Sequence, residues 1–158
     1  MSKKLVMVIG SLMLLFLGGC SLYQNVIGNT DLMTSYLEDT ESITDGYLML
    51  LNEEATIEDE EELTNFTEDR VIPTLNQLLA DSNEVEANYS DEQLLEVHAL
   101  LPQSFELLVE ANEKWLEGND EAEDLFMQSE ELYLQYENDL EKLASKWGIE
   151  IVWEDIEE

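Results

Sequence analysis

The sequence predicts an all-α protein, an antiparallel four-helix bundle with a short extended C-terminal tail. Apolar residues recur at alternating spacings of three and four along four long stretches, which is the period of helices that bury one face. The stretches are joined by connections of roughly 3–9 residues, short enough to make neighbours antiparallel. Hydrophobic residues make up 44% of a 158-residue chain, enough for the core of one domain despite the charge.

The first helix is expected from about Asp31 to Glu53, with Thr30 as N-cap. Met33, Tyr36, Leu37, Ile43, Tyr47, Leu48 and Leu51 form its stripe, and Gly46 is a weak point inside it. The second is expected from about Ile57 to Asp81, capped by Thr56. The acids Glu58 to Glu62 lie at its start, where they suit the helix dipole. Leu63, Phe66, Val71, Leu75, Leu78 and Leu79 make its inner face. Pro73 is expected to kink it, because the ring clashes with the carbonyl of Asp69.

The third helix opens on Ser90-Asp91-Glu92-Gln93, a capping-box pattern. Leu94, His98, Leu101, Phe105, Leu108, Asn112 and Trp115 then form one seam at alternating spacings of four and three. Pro102 should kink this helix and free the carbonyl of His98. Gly118-Asn119 ends it. The fourth runs from about Glu121 to Trp147 behind Asn119 or Asp120. Its seam is Ala122, Leu125, Ser129, Leu132, Tyr136, Leu140, Leu143 and Trp147. Gly148 and Ile149 fit a Schellman ending. Ile149 to Trp153 partly alternates like a strand, but no second strand pattern accompanies it, so an extended tail on the bundle is expected.

The N-terminus is of another kind. Lys3 and Lys4 precede an apolar run from Leu5 to Leu17, and Gly18-Gly19-Cys20 follows. This is a basic segment, an apolar core and small residues before a cut. A helix over that run would be about 20 Å long, short of the roughly 30 Å hydrocarbon layer. Leu17-Gly18-Gly19-Cys20 resembles the lipobox of bacterial lipoproteins. The resemblance implies a diacylglyceryl group on the sulfur of Cys20 and cleavage just before it, with fatty acyl (palmitate-type) chains as the anchor. It divides the chain into a signal peptide (1–19), a lipidated tether (20–29) and the helical bundle domain (30–158), so the bundle stands on a lipid tether. It places the protein on the extracytoplasmic face of the cell membrane, held there through Cys20. Beyond this segment, size and the ending Leu143-Ala144-Ser145-Lys146-Trp147-Gly148-Ile149 are similar to small helical lipoproteins of Gram-positive bacteria whose function is unknown.

Charge excludes one class of partner. Six basic residues face 38 acidic ones, for a net charge of -32. Loss of residues 1–19, whose only charges are Lys3 and Lys4, takes it to -34. Nucleic acid is not a partner for such a surface. A single Cys and a single His give neither a multi-cysteine zinc site nor a multi-histidine site, and no metal or other cofactor is expected. A di-iron bundle site needs two Glu-x-x-His motifs, and residue 95, three before His98, is Leu. The acidic runs at 58–62 and 120–124 lack the EF-hand spacing and are read as solvated faces.

His98 has two readings, a general base or a core histidine bonded to a neighbouring helix; the second is preferred. No serine sits in a nucleophile elbow, so no enzymatic activity is expected. Asn112 on the same seam is read as a register-fixing polar residue. Trp115, Trp147, Trp153, Tyr133 and Tyr136 have two readings, the lining of an aromatic ligand pocket or core packing; all but Trp153 and Tyr133 lie on the seams, so core packing is preferred, and exposure of Trp153 in the tail would suggest a partner contact. A hairpin of helices two and three centred at 85.5 would set Pro73 level with His98, with Arg70 about one turn away and Tyr136 nearby. A ligand pocket, if present, belongs in that layer with Arg70 as an anion contact; a kinked but filled core with His98 bonded to a neighbour is the preferred reading. The functional expectation is a lipid-anchored cell-envelope protein with a non-enzymatic interaction or structural role and an envelope protein as partner. The alternative is a binding protein for a small or cationic ligand between kinked helices.

Overall fold

The computed structural model describes residues 3–8 and 20–155, with side chains from 28 to 151. Its helices are α1 (Cys20–Glu54), α2 (Glu60–Phe66), α3 (Ile72–Asn88), α4 (Glu92–His98), α5 (Leu100–Leu116) and α6 (Glu121–Lys146). A π-helical turn, Thr67–Val71, joins α2 to α3. Strands β1 (Lys3–Val8) and β2 (Glu150–Asp155) pair. Four helical rods therefore stand among the described residues: α1, α2 to α3, α4 to α5, and α6. The all-α bundle is the architecture of this chain. The α5 rod packs on α3 and α6, and α1 packs on α3.

The two prolines act differently. Ahead of Pro73 the chain does not break. The Ile72 amide donates to the Thr67 carbonyl five residues back, so the ladder widens by one residue before the ring. Phe66, Val71 and Ile72 all keep right-handed helical angles. The expected kink is thus absorbed as a π turn. Pro102 does interrupt its rod. The gap falls at Ala99, next to the His98 carbonyl, to which Pro102 has no N–H to donate.

The caps differ in detail from the sequence reading. Among the described residues the first helix runs from Cys20, so the tether segment 20–29 is helical and Thr30 lies inside α1. Asp59, not Thr56, caps α2, its carboxylate accepting from the Glu62 amide at 3.0 Å. Asp91, not Ser90, caps α4 by accepting from the amides of Gln93 and Leu94. Asn119 accepts from the Glu121 amide ahead of α6. Gly118 and Gly148, both at positive φ, end α5 and α6. In each, the residue after the glycine donates back to the carbonyl five residues earlier, Asn119 to Lys114 and Ile149 to Ala144, as in a Schellman ending.

The first hairpin is centred later than expected. Ser82, not Pro73, is level with His98, which puts the centre near residue 90. α3 runs on through Asn88, carrying Ser82 and Val85 into the core. The second hairpin turns at Gly118-Asn119 as expected, with the Ser129 hydroxyl donating to the Ser104 carbonyl at 2.8 Å and Lys146 bonded to Gln93.

The C-terminal tail gains a partner that the sequence did not reveal. β2 lies antiparallel to β1, with Lys3 opposite Asp155 and Lys4 opposite Glu154. An unbroken apolar run carries no strand alternation, which is why Lys3–Val8 did not read as a strand. Leu17, Gly18 and Gly19 of the lipobox lie outside the described residues, as does the Trp153 side chain.

Candidate functional site

The only histidine sits in a closed chain of hydrogen bonds. His98 is 1% exposed. Its Nε2 lies 2.9 Å from the Ser82 carbonyl oxygen, which can only accept, so Nε2 carries the proton. Nδ1 is then the acceptor, and the Tyr36 hydroxyl donates to it at 2.8 Å. Tyr36 has spent its proton, so the Tyr136 hydroxyl donates to the Tyr36 oxygen at 3.1 Å. The Ser82 hydroxyl lies 3.2 Å from Nε2 and shares its proton. One direction of donation thus runs from Tyr136 through Tyr36 and His98 to Ser82. It joins α6, α1, α4 and α3.

Burial tunes every member of the chain toward neutrality. It pulls the His98 imidazole below its usual value of 6.5. It pushes the Tyr36 phenol well up, and Tyr136 to about 12. A general base needs access to a substrate proton, and both His98 nitrogens are engaged in a filled core. Tyr36 also meets the His98 and Tyr89 rings edge-on at 5.6 and 5.5 Å. Tyr89 in turn donates to Asp39 at 2.7 Å.

Of the four residues expected to line a pocket, the structure brings His98 and Tyr136 together and leaves the other two apart. Pro73 is exposed, nine residues from Ser82, or about 13 Å along the helix. Arg70 is exposed as well and pairs with Glu53 at 3.2 Å. The layer around His98 is filled by buried side chains, Tyr36, Ser82, Leu101 and Tyr136 among them, which is the preferred of the two readings. Among the described residues, no group of three or more His, Cys, Asp or Glu stands close enough to hold a metal ion. No helix among them is long and apolar enough to cross a membrane.

An open cavity does form elsewhere. A groove of about 430 Å³ lies between α1, α5 and α6, with Tyr47, Glu54, Asn112, Phe126, Glu130 and Tyr133 in its walls. A second hollow of about 160 Å³ shares Glu54, Asn112 and Phe126 with it and adds Trp115. The π turn borders both, Val71 on the larger and Thr67 on the smaller. Tyr47 packs on Phe105 and Tyr133 with ring centres 5.4 and 5.0 Å apart.

The polar groups of the groove are oxygens. Asn112 is 5% exposed, and its Nδ2 donates to the Leu108 carbonyl at 2.7 Å. No described hydrogen bond reaches its Oδ1. Glu54 is half-buried and in none of the described ion pairs. Burial raises its carboxyl above the usual 4.5. Burial, then the nearby Glu54, Glu130 and Glu137, raise the Tyr47 phenol to about 12.

Tyr47 and Asn112 stand on the expected helical stripes, whereas Glu54, Phe126, Glu130 and Tyr133 do not. One signal was present: Phe126, Glu130, Tyr133 and Glu137 recur at four, three and four along α6, a second stripe beside the seam. Glu54 carried none, since it reaches the groove only through the packing of α1. No protein-family model, curated protein or solved structure matches this chain.

Proposed function

We propose that this chain is a lipid-anchored cell-envelope protein with a non-enzymatic interaction or structural role on the extracytoplasmic face of the membrane. The observation that carries the reading is the basic, apolar and small-residue segment that ends at the sole cysteine, Cys20. The expected cut falls just before Cys20, and the chain from Cys20 onward is helical into the bundle. Cleavage there would release a chain whose first residue is both the lipid attachment point and the start of the bundle's longest helix. Two or three acyl chains at one residue give stable anchoring, where one is marginal. The engaged state of His98 supports a role that needs no chemistry, and the partner in this reading is an envelope protein.

The test is Cys20→Ala in the full chain, expressed in a bacterial host with labelled fatty acid. The expected result is uncut, unlabelled precursor. Normal cleavage and labelling of the variant would overturn the anchor. The alternative, a binding protein for a small or cationic ligand, is favoured by one observation, the oxygen-lined groove.

A further inference from the structure

We propose that the groove between α1, α5 and α6 is a binding site for an organic ammonium ion, a protonated primary or secondary amine on an apolar or aromatic body. This rests on the ligand-binding reading and names the ligand's chemistry; it does not depend on the lipid anchor.

The walls select for such a ligand in three ways. First, no described residue lining either hollow is Lys, Arg or His, so no cation of the protein competes for Glu54. Arg70, the nearest in sequence, is taken by the neighbouring Glu53. Second, the Asn112 side chain lines both hollows with its Nδ2 engaged by the Leu108 carbonyl, which leaves its amide oxygen as the group that can accept from a ligand. An ammonium N–H is a donor that such an oxygen accepts. Third, Tyr47, Phe126 and Tyr133 offer aromatic faces, which attract cations and cover apolar groups.

A bare metal ion does not fit the same walls. Calcium takes six to eight oxygen ligands and magnesium about six, and the carboxylates here do not converge into any group of three. Anions are repelled by Glu54 and Glu130 at the wall and by the charge of the whole chain. A neutral apolar molecule would fill the groove but leave the Glu54 carboxylate, already penalised by burial, without a counter-ion. An ammonium group beside Glu54 and Asn112, with its apolar body along Tyr47 and Tyr133, satisfies all three features. The two hollows share Glu54 and Asn112, so the charged group belongs at their junction, with substituents extending into either side.

Calorimetry on the full chain with 4-phenylbutylammonium and its neutral counterpart 4-phenylbutanol tests this. The ammonium should bind at least about tenfold more tightly, the value of one charge-assisted hydrogen bond. Glu54→Gln should remove that preference, with an unchanged circular dichroism spectrum showing that the variant is folded. The Asn112 side-chain amide signals should shift in NMR spectra with the ammonium and not with the alcohol. Equal binding of amine and alcohol, or a preference that survives Glu54→Gln, would overturn the ammonium assignment and leave a ligand groove. No binding of either compound would overturn the groove as a site altogether.

Discussion

The Thr30 hydroxyl donates a 2.6 Å hydrogen bond to the carbonyl oxygen of Trp147, 117 residues away. It fastens the first helix to the last, at a carbonyl beyond the final turn of α6 that has no helical partner. Gly148, at φ +83°, turns the chain away at that point, and a Cβ there would lie 3.8 Å from the Thr30 oxygen.

Thr30→Val should therefore lower unfolding stability by about 1–2 kcal/mol, the cost of a lost, partly buried hydrogen bond. Thr30→Ser should recover most of it. Urea titration of both variants measures the difference, and equal losses in the two would assign the effect to packing of the Thr30 methyl instead.

His98→Leu leaves a Tyr36 hydroxyl and a Ser82 carbonyl without their partner inside the core, and should cost about 2–4 kcal/mol. The pH dependence has a definite sign. Burial holds the folded imidazole below 6.5, so the unfolded chain binds the proton more readily. This contribution to stability is intact above pH 6.5 and is lost as pH falls toward the depressed folded value. The stability gap between wild type and His98→Gln should thus shrink from about pH 8 to about pH 5.5. Glu54, raised by burial, works in the opposite sense, because its protonation favours the folded state near its own lower range. Comparing the two proteins cancels that term.

Two glycines should respond for different reasons. At Gly118 (φ +69°) an added Cβ meets open space, so Gly118→Ala should cost only the left-handed strain, about 1 kcal/mol. At Gly46 an added Cβ would lie 3.0 Å from Leu78 Cδ2, where α1 packs on α3. Gly46→Val should cost more, about 2–3 kcal/mol, by overpacking. Thermal melts rank the two, and the reverse order would refute this account of the α1–α3 contact.

Charge repulsion sets a fourth expectation. The chain from Cys20 onward carries a formal -34, that is, -32 without Lys3 and Lys4, and the runs at 58–62 and 120–124 are exposed apart from Ala122. Its melting temperature should rise from about 0.01 M to about 1 M NaCl as screening weakens self-repulsion. A flat or falling profile would show that the acids are already compensated.

The seams were legible because burial follows period. Leu94, His98, Leu101, Phe105 and Asn112 are buried on the third rod, as are Tyr136, Leu140 and Leu143 on the fourth. What periodicity misses is buried polarity and end points. Thr40, Thr44, Thr67 and Ser82 are all buried, and they look like surface residues in a hydrophobic pattern. Thr40 and Thr44 satisfy themselves by bonding to the Tyr36 and Thr40 carbonyls one turn back. Reading Ser82 as the start of a turn shifted the hairpin centre and misplaced Pro73. The groove was illegible for a different reason: Glu54 and Asn112 are far apart in sequence and line one groove only once the helices are packed.

The early start of α1 has a mechanical consequence. Cys20 and Met33, the first fully buried residue among the described side chains, are thirteen positions apart. As helix they span about 20 Å, more than twice the roughly 8 Å Debye length at physiological salt. If Cys20 is acylated as proposed, this segment would be a strut rather than a string, and would set a clearance between the acidic bundle and anionic headgroups at which their mutual repulsion is largely screened. A flexible tether of equal length would hold the bundle nearer on average, and would leave its orientation free.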